Sequence, residues 1–417
     1  MKTELGHYKV NGVIFANKIQ AVLEAQRTHA EVEWYFFDDV FKKVNWLAEP
    51  ITSLEMFYKM RAQQIREAYD YVIIMCSGGA DSTNMVKSFL DNDIHVDEVI
   101  AMAPLSGLSN YEWNDKDTST ENTVSETKFA QMPLMHEIAT KYPNVKTTLL
   151  DSFKDVISPA TDEWLLNCQG DIINSWTHTH SRLDQFKNLV DMAENGKRIA
   201  VVNGIDKPVL TVTPDGKMFT LFSDIPINLP KQPFKNDYPN VDRVLFYWSP
   251  DLPEMIVKQG HVIAREIHKP ENKNVWQAMK DLVKLGEFRK QRTLTDEQAL
   301  QKMLPSNRHL NIQSKNEYSP FSVYERGIVP FIYPGTYKKD LFQANKIDPT
   351  HTFFALNHDW FHKLHGNTRA NQLFESDFLN FYKSLDKKYL NASQTGFKPN
   401  LKIFYIGQDS YFKKNKL

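Results

Sequence analysis

Six consecutive residues, Ser77-Gly78-Gly79-Ala80-Asp81-Ser82, gather two glycines, two hydroxyls and a carboxylate at one point of the chain. Glycines take positive φ without a Cβ penalty and let the backbone approach a bound anion. If a helix begins there, the N–H groups of its first turn point at that anion, and the helix dipole adds favourable charge. Ser77 and Ser82 would add hydroxyl donors. Such equipment grips a phosphate. Asp81 is an odd neighbour for a polyanion unless it also binds Mg2+ or orients the backbone. A capped turn, with Ser77 and Asp81 satisfying backbone groups, is the plainer alternative.

The flanking patterns supply the setting that such a loop needs. Residues 71–76, Tyr-Val-Ile-Ile-Met-Cys, are a short continuous apolar run, as in a strand buried on both faces. After the loop, Met85, Val86, Phe89 and Leu90 mark one face of a helix over 82–92. Further strands are predicted at 98–103, 145–150 and 198–202. Between them, helices are predicted at 125–142, with Phe129, Met132, Ile138 and Ala139 inward, and at 183–195, closed by Gly196. Strands separated by helices imply right-handed crossovers and a mostly parallel sheet, so residues 70–210 read as an α/β core. Residues 1–69 read as an N-terminal extension, with an apolar stretch at 10–15 and a helix that Ser53 can cap. Residues 211–417 read as a C-terminal region on the substrate side, mixed helical and irregular and broken by prolines. Short helices are expected near 253–267, 275–285 and 296–303, and a late strand at 401–407.

The strand, loop and helix together resemble the PP-loop superfamily of ATP pyrophosphatases, whose motif is Ser-Gly-Gly-x-Asp-Ser. Ser77, Gly78, Gly79, Asp81 and Ser82 match it, and the likeness covers about a third of the chain. It is not a Walker loop, since no Gly-Lys-Ser/Thr follows. The resemblance implies an α/β fold with a doubly wound, mostly parallel sheet of the adenine nucleotide α-hydrolase type, carrying helical and irregular N- and C-terminal additions. ATP would lie at the carboxyl ends of the strands. It also implies a reaction: a carbonyl or carboxylate oxygen is adenylated, pyrophosphate leaves, and a nitrogen or sulfur nucleophile displaces AMP. Ser77, Gly78, Gly79, Ala80, Asp81 and Ser82 would then bind nucleotide. Ala101 and Met102 lie where family members use backbone atoms to read adenine. Asp81 and Asp206 would hold Mg2+. Asp81, Lys207 and Arg182 would form the catalytic set, with Lys207 neutralising phosphate charge in the transition state and Arg182 near phosphate. The residues themselves leave other readings open: capping or turn chemistry for Asp151 and Asp206, a solvated surface lysine for Lys207, and an exposed cap for the segment 176–182.

Other constellations are less specific. His178 and His180 lack the acidic or cysteine spacing of a metal site, and His358, His362 and His365 share a helical face without a Glu-x-x-His frame. Leu252-Pro253-Glu254, with Lys258 and His261 beyond, resembles the later region of asparagine-synthase-like members, and Asp251 is a plausible cap. An aromatic core at Phe246-Tyr247-Trp248 explains the same stretch.

Cysteine content narrows the chemistry. Only Cys76 and Cys168 occur, too few for a disulfide framework or a four-cysteine metal site. Sulfur-transferring relatives need catalytic cysteines or a cluster, so the expected branch is a ligase or amidating enzyme using a small acyl or carbonyl substrate and a nitrogen donor. A PP-loop enzyme modifying a base in tRNA or DNA is the second reading, with the basic strip 284–292 its one candidate groove. A non-catalytic nucleotide-binding protein is the third. Lys and Arg total 50 against 51 acidic residues, which predicts neither a nucleic-acid coat nor a membrane surface. No apolar leader or spanning run is seen, and a cytoplasmic location is expected.

Overall fold

The computed structural model describes residues 6–103, 130–151, 187–204, 208–224, 238–291, 320–333, 384–390 and 397–414. The apolar stretch near the N-terminus folds as a hairpin of β1 (His7–Val10) and β2 (Val13–Phe15), with β3 (Glu33–Tyr35) on its other side. A helix at Leu54–Ala68 follows. Ser53 caps it as expected, its Oγ accepting from the Met56 N–H at 3.3 Å. The helix buries Leu54, Phe57, Tyr58, Arg61, Ala62 and Ile65 along one stripe.

The next strands are β4 (Tyr71–Met75), β5 (Glu98–Ala103), β6 (Lys146–Asp151) and β7 (Ile199–Asn203). Val72, Ile73 and Ile74 of β4 are all fully buried, so both faces of this strand are covered. The sequence stops the sheet near residue 210, but the structure does not. After β8 (Val209–Val212) and β9 (Lys217–Ser223), strand β10 (Val241–Leu245) returns to pair with β7. The result is a five-stranded, wholly parallel sheet in the order β10-β7-β4-β5-β6. The chain builds outward from β4 through β5 to β6, then crosses back to β7 and β10. The order therefore reverses between β4 and β7, and the carboxyl ends of those two strands flank the crevice where open α/β sheets bind ligands.

Two local expectations are corrected. The helix expected over 125–142 is described from Met132 to Lys141, with Pro133 in its first turn, where a missing N–H costs nothing. Its inward face is Leu134, Met135 and Ile138, while Met132 and Ala139 are exposed. The helix Pro253–Glu266 receives no side-chain cap from Asp251, whose carboxylate instead meets Arg61 at 3.3 Å. The helix expected at 183–195 is described over Lys187–Glu194; the segments 296–303 and 351–365 lie outside the described residues.

The N- and C-terminal parts pack as one body with the parallel sheet. Strand β11 (Leu401–Gln408) joins β9 and β8 in an antiparallel sheet, order β11-β9-β8. Between this sheet and the N-terminal segment, Trp46 stacks on Phe404 with centroids 4.0 Å apart, and Phe222 also packs on Trp248, just beyond β10, at 3.9 Å. A buried polar knot crosses the same boundary. Asp224 lies 2.7 Å from the Lys18 ammonium and accepts from the Tyr8 hydroxyl at 3.0 Å, from the Asn400 amide N–H at 2.9 Å and from its side chain at 2.8 Å. Asp224 and the Lys18 side chain are almost wholly buried, so this pair persists only because further hydrogen bonds satisfy it. No helix among the described residues is long and apolar enough to cross a membrane.

Candidate functional site

The loop leaves β4 and turns at Gly78, whose φ is +83°. A Cβ there would be penalised by the torsion and would also lie 2.5 Å from the Cα and N of Gln131. A side chain is excluded twice, by backbone geometry and by packing. Gly79 then serves as N-cap of the helix Ala80–Leu90, with extended backbone and no side-chain cap. Its carbonyl accepts from the Thr83 N–H at 2.9 Å and from the Ser82 hydroxyl at 3.2 Å. Its N–H donates to Ser77 Oγ at 3.2 Å, and the Thr83 hydroxyl donates to the Gly78 carbonyl at 3.2 Å. The loop is thus braced from within. The first-turn amides of Ala80 and Ser82 have no intrahelical acceptor and form the positive end of the helix.

Behind the loop stands a buried tyrosine cluster, of which only Tyr247 has a core reading in the sequence. The Tyr247 hydroxyl donates to the Asp81 carbonyl at 2.8 Å and accepts from Asn84 Nδ2 at 2.9 Å. Tyr58 and Tyr333 pack against Tyr247 with ring centroids 5.8 and 5.2 Å away. Burial, and then the negative charge of Asp81, push the Tyr247 and Tyr333 hydroxyls well above their ordinary range. Burial does the same to Tyr58. All three stay neutral at physiological pH.

Gln131 was missed in sequence, having no motif around it. It is 3% exposed, and its Nε2 donates to the carbonyls of Cys76 and Met102, both at 3.1 Å. Two carbonyl acceptors fix the amide orientation, because only the NH2 end can donate to both. Its Oε1 is consequently held as a pure acceptor, and it is buried with no partner in the protein. Gln131 lines a cleft of about 210 Å3 together with Ser77, Ser82, Met102, Asn203 and Gly204. The cleft sits at the reversal of strand order. Gly204 seats the end of β7 against the loop helix: a Cβ there would stand 3.1 Å from the Asp81 carbonyl oxygen.

The sequence-derived residues fall into three groups. Ser77, Gly78, Gly79, Ala80, Asp81 and Ser82 form one loop and helix start, and Met102 joins them at the cleft. Ala101 is fully buried in the sheet, opposite Leu149 of β6, and does not reach the cleft. Arg182, Asp206 and Lys207 lie outside the described residues, as does the segment 176–182. Lys258 and His261 turn away from the loop: Lys258 meets Glu49 at 2.8 Å and His261 Nε2 meets the Trp46 carbonyl at 2.9 Å. Cys76 is buried beside the loop with its thiol free of any disulfide. Among the described residues no cluster of three or more His, Cys, Asp or Glu side chains is arranged for a metal ion.

Compared with protein-family models, curated proteins and solved structures, the chain matches none.

Proposed function

We propose that the cleft beside Ser77–Ser82 binds ATP and that the chain splits it into AMP and pyrophosphate, adenylating a carbonyl or carboxylate that a nitrogen nucleophile then takes over. The observation that carries this reading is the turn at Gly78. Its left-handed backbone delivers the start of a helix to the crevice of a parallel sheet, and no side chain fits between it and Gln131. Phosphate oxygens would accept from the Ala80 and Ser82 amides and from the Ser77 hydroxyl. The buried Oε1 of Gln131 suits an exocyclic amine such as that of adenine, and it repels a base that presents a carbonyl there.

Mg2+ fits in a limited way. A single carboxylate, Asp81, would share the ion with phosphate oxygens and water, which is how Mg2+ is commonly held, and the ion would supply charge neutralisation at the phosphates. The protein's own part is positional. Amides fixed before the reaction stabilise charge without reorganising, and Tyr247 holds the Asp81 main chain in place.

The reading is tested by incubating the protein with α-labelled ATP, Mg2+ and panels of carboxylates with ammonia or amines. AMP with pyrophosphate is expected. ADP with phosphate would contradict the reading, and tight binding without turnover would reduce it to nucleotide binding.

A further inference from the structure

Asn203, the last residue of β7, is the one residue of that strand that is not buried, and it lines the cleft beside the loop. Parallel register sets it opposite Met75 of β4, and Met75 is in turn opposite Ile100 of β5. Registered neighbours project to the same face of a sheet, so the three side chains stand side by side, with Met102 two residues further along β5. All four line the cleft. Met75, Ile100 and Met102 make an apolar floor, and the Asn203 amide closes its β7 side. The two sides are two strand spacings apart, about 10 Å.

Hydrogen bonding fixes what that amide offers. Its Nδ2 donates to the Val201 carbonyl at 3.1 Å, which turns Oδ1 the other way. Among the described residues no donor is bonded to Oδ1, and it is not one of the unpartnered polar atoms sealed inside the protein. The next residue, Gly204, packs on the first turn of the loop helix, beside the Asp81 carbonyl. An open acceptor therefore stands on the β7 flank of the loop.

Each part of a nucleotide meets this acceptor differently. Phosphate oxygens can only accept, and Oδ1 repels them. An amide reads the edge of adenine through a paired donor and acceptor, and here the donor is spent on Val201. Vicinal hydroxyls donate, so they fit. A furanose ring carries its base, its hydroxyls and its 5′ arm on separate sides. With the 5′ arm at Ser77 and Ser82 above β4, and the base toward Met102 on β5, the hydroxyl edge falls toward β7.

We propose that Asn203 is a specificity-determining residue whose Oδ1 accepts from the ribose hydroxyls of the nucleotide. The inference rests on the nucleotide reading above and adds to it the sugar that the cleft selects.

Calorimetric titration of the full chain with ATP, 2′,3′-dideoxy-ATP and inorganic tripolyphosphate, each with Mg2+, tests it. The wild type should bind ATP about threefold to tenfold more tightly than the dideoxy analogue, the worth of a neutral hydrogen bond. Asn203→Leu nearly keeps the volume and removes the acceptor. It should bind both nucleotides alike, at the wild-type affinity for the dideoxy analogue. Tripolyphosphate has no sugar, so its affinity should be the same in both proteins. Saturable binding of both nucleotides with equal affinity in the wild type would overturn the sugar assignment and leave the nucleotide reading standing. So would a preference that survives in the variant. Tripolyphosphate weakened along with ATP would overturn it too, by showing that the substitution damages the loop. Absence of saturable nucleotide binding would end the nucleotide reading itself, and this inference with it.

Discussion

The Tyr247 hydroxyl holds the main-chain carbonyl of Asp81 at 2.8 Å, so a residue of the aromatic core reaches directly into the first turn of the loop helix. Tyr247 follows β10, and β10 belongs to the parallel sheet only because the chain crosses back after β6. Loop geometry is thereby tied to the return half of the fold.

Tyr247→Phe removes that donor and also the acceptor of Asn84 Nδ2. A buried side-chain amide and a part-buried carbonyl each lose a partner. The expected cost is about 1–3 kcal/mol of unfolding free energy, read by urea denaturation. On the proposed function, ATP affinity falls as well. An unchanged midpoint and affinity would show that the loop holds itself.

Gly78→Ala meets both a torsional penalty and a clash with Gln131 backbone at 2.5 Å. Gly12 provides the control, because its φ is +85° but nothing lies within 4 Å of its would-be Cβ. Gly12→Ala should cost only the torsional part, about 1 kcal/mol. Gly78→Ala should cost clearly more and, on the proposed function, abolish nucleotide binding. Equal thermal shifts for the two variants would refute the packing argument.

Gln131→Leu removes the unpartnered buried acceptor of a residue that lines the cleft. On the proposed function the wild type prefers ATP to inosine triphosphate, which replaces the amine with a carbonyl, and the variant loses that discrimination. Competition binding with the two nucleotides measures it. Preference unchanged in the variant would place the base elsewhere while leaving phosphate binding intact.

His261 supplies a pH prediction. Burial lowers its pKa below the ordinary 6.5, with Arg265 and Lys258 acting in the same direction and the Trp46 carbonyl and Glu49 opposing. The unfolded chain therefore takes up the proton first as pH falls. Stability is unaffected by this group above about 6.5, declines as pH drops below that value, and levels off once the folded-state pKa is passed. His261→Gln can keep the bond to the Trp46 carbonyl without titrating, and melting temperatures at pH 7.5 and 5.5 should then differ less than in the wild type. An undiminished difference would assign the acid sensitivity to other groups.

Much of the fold was legible because its central strands are buried on both faces. Tyr71–Met75 and Glu98–Ala103 fall where continuous apolar runs placed them, and the late strand at 401–407 is found as Leu401–Gln408. β10 was not foreseen. Val-Asp-Arg-Val-Leu mixes two charged residues into an outer strand, so its pattern is diluted. At the site, the loop announces itself through glycine and hydroxyl spacing, whereas Gln131 carries no local signal. Its importance arises from the meeting of Cys76 and Met102, which only tertiary structure brings about.

The knot of Lys18, Asp224 and Asn400 carries a consequence for how the molecule comes apart. Peeling away the N-terminal segment would leave Asp224 buried without Lys18, and peeling away the C-terminal segment would take from it both Asn400 donors, so detachment of either end is costly while the rest stays native. The two flanks are coupled by the knot, and heat or denaturant should act on them and the central sheet in a single step. A fragment trimmed to 70–210 would lack Lys18 and Asp224 together with the outer strand, and would expose the apolar residues 199–202 of β7 as its sheet edge, prone to self-association.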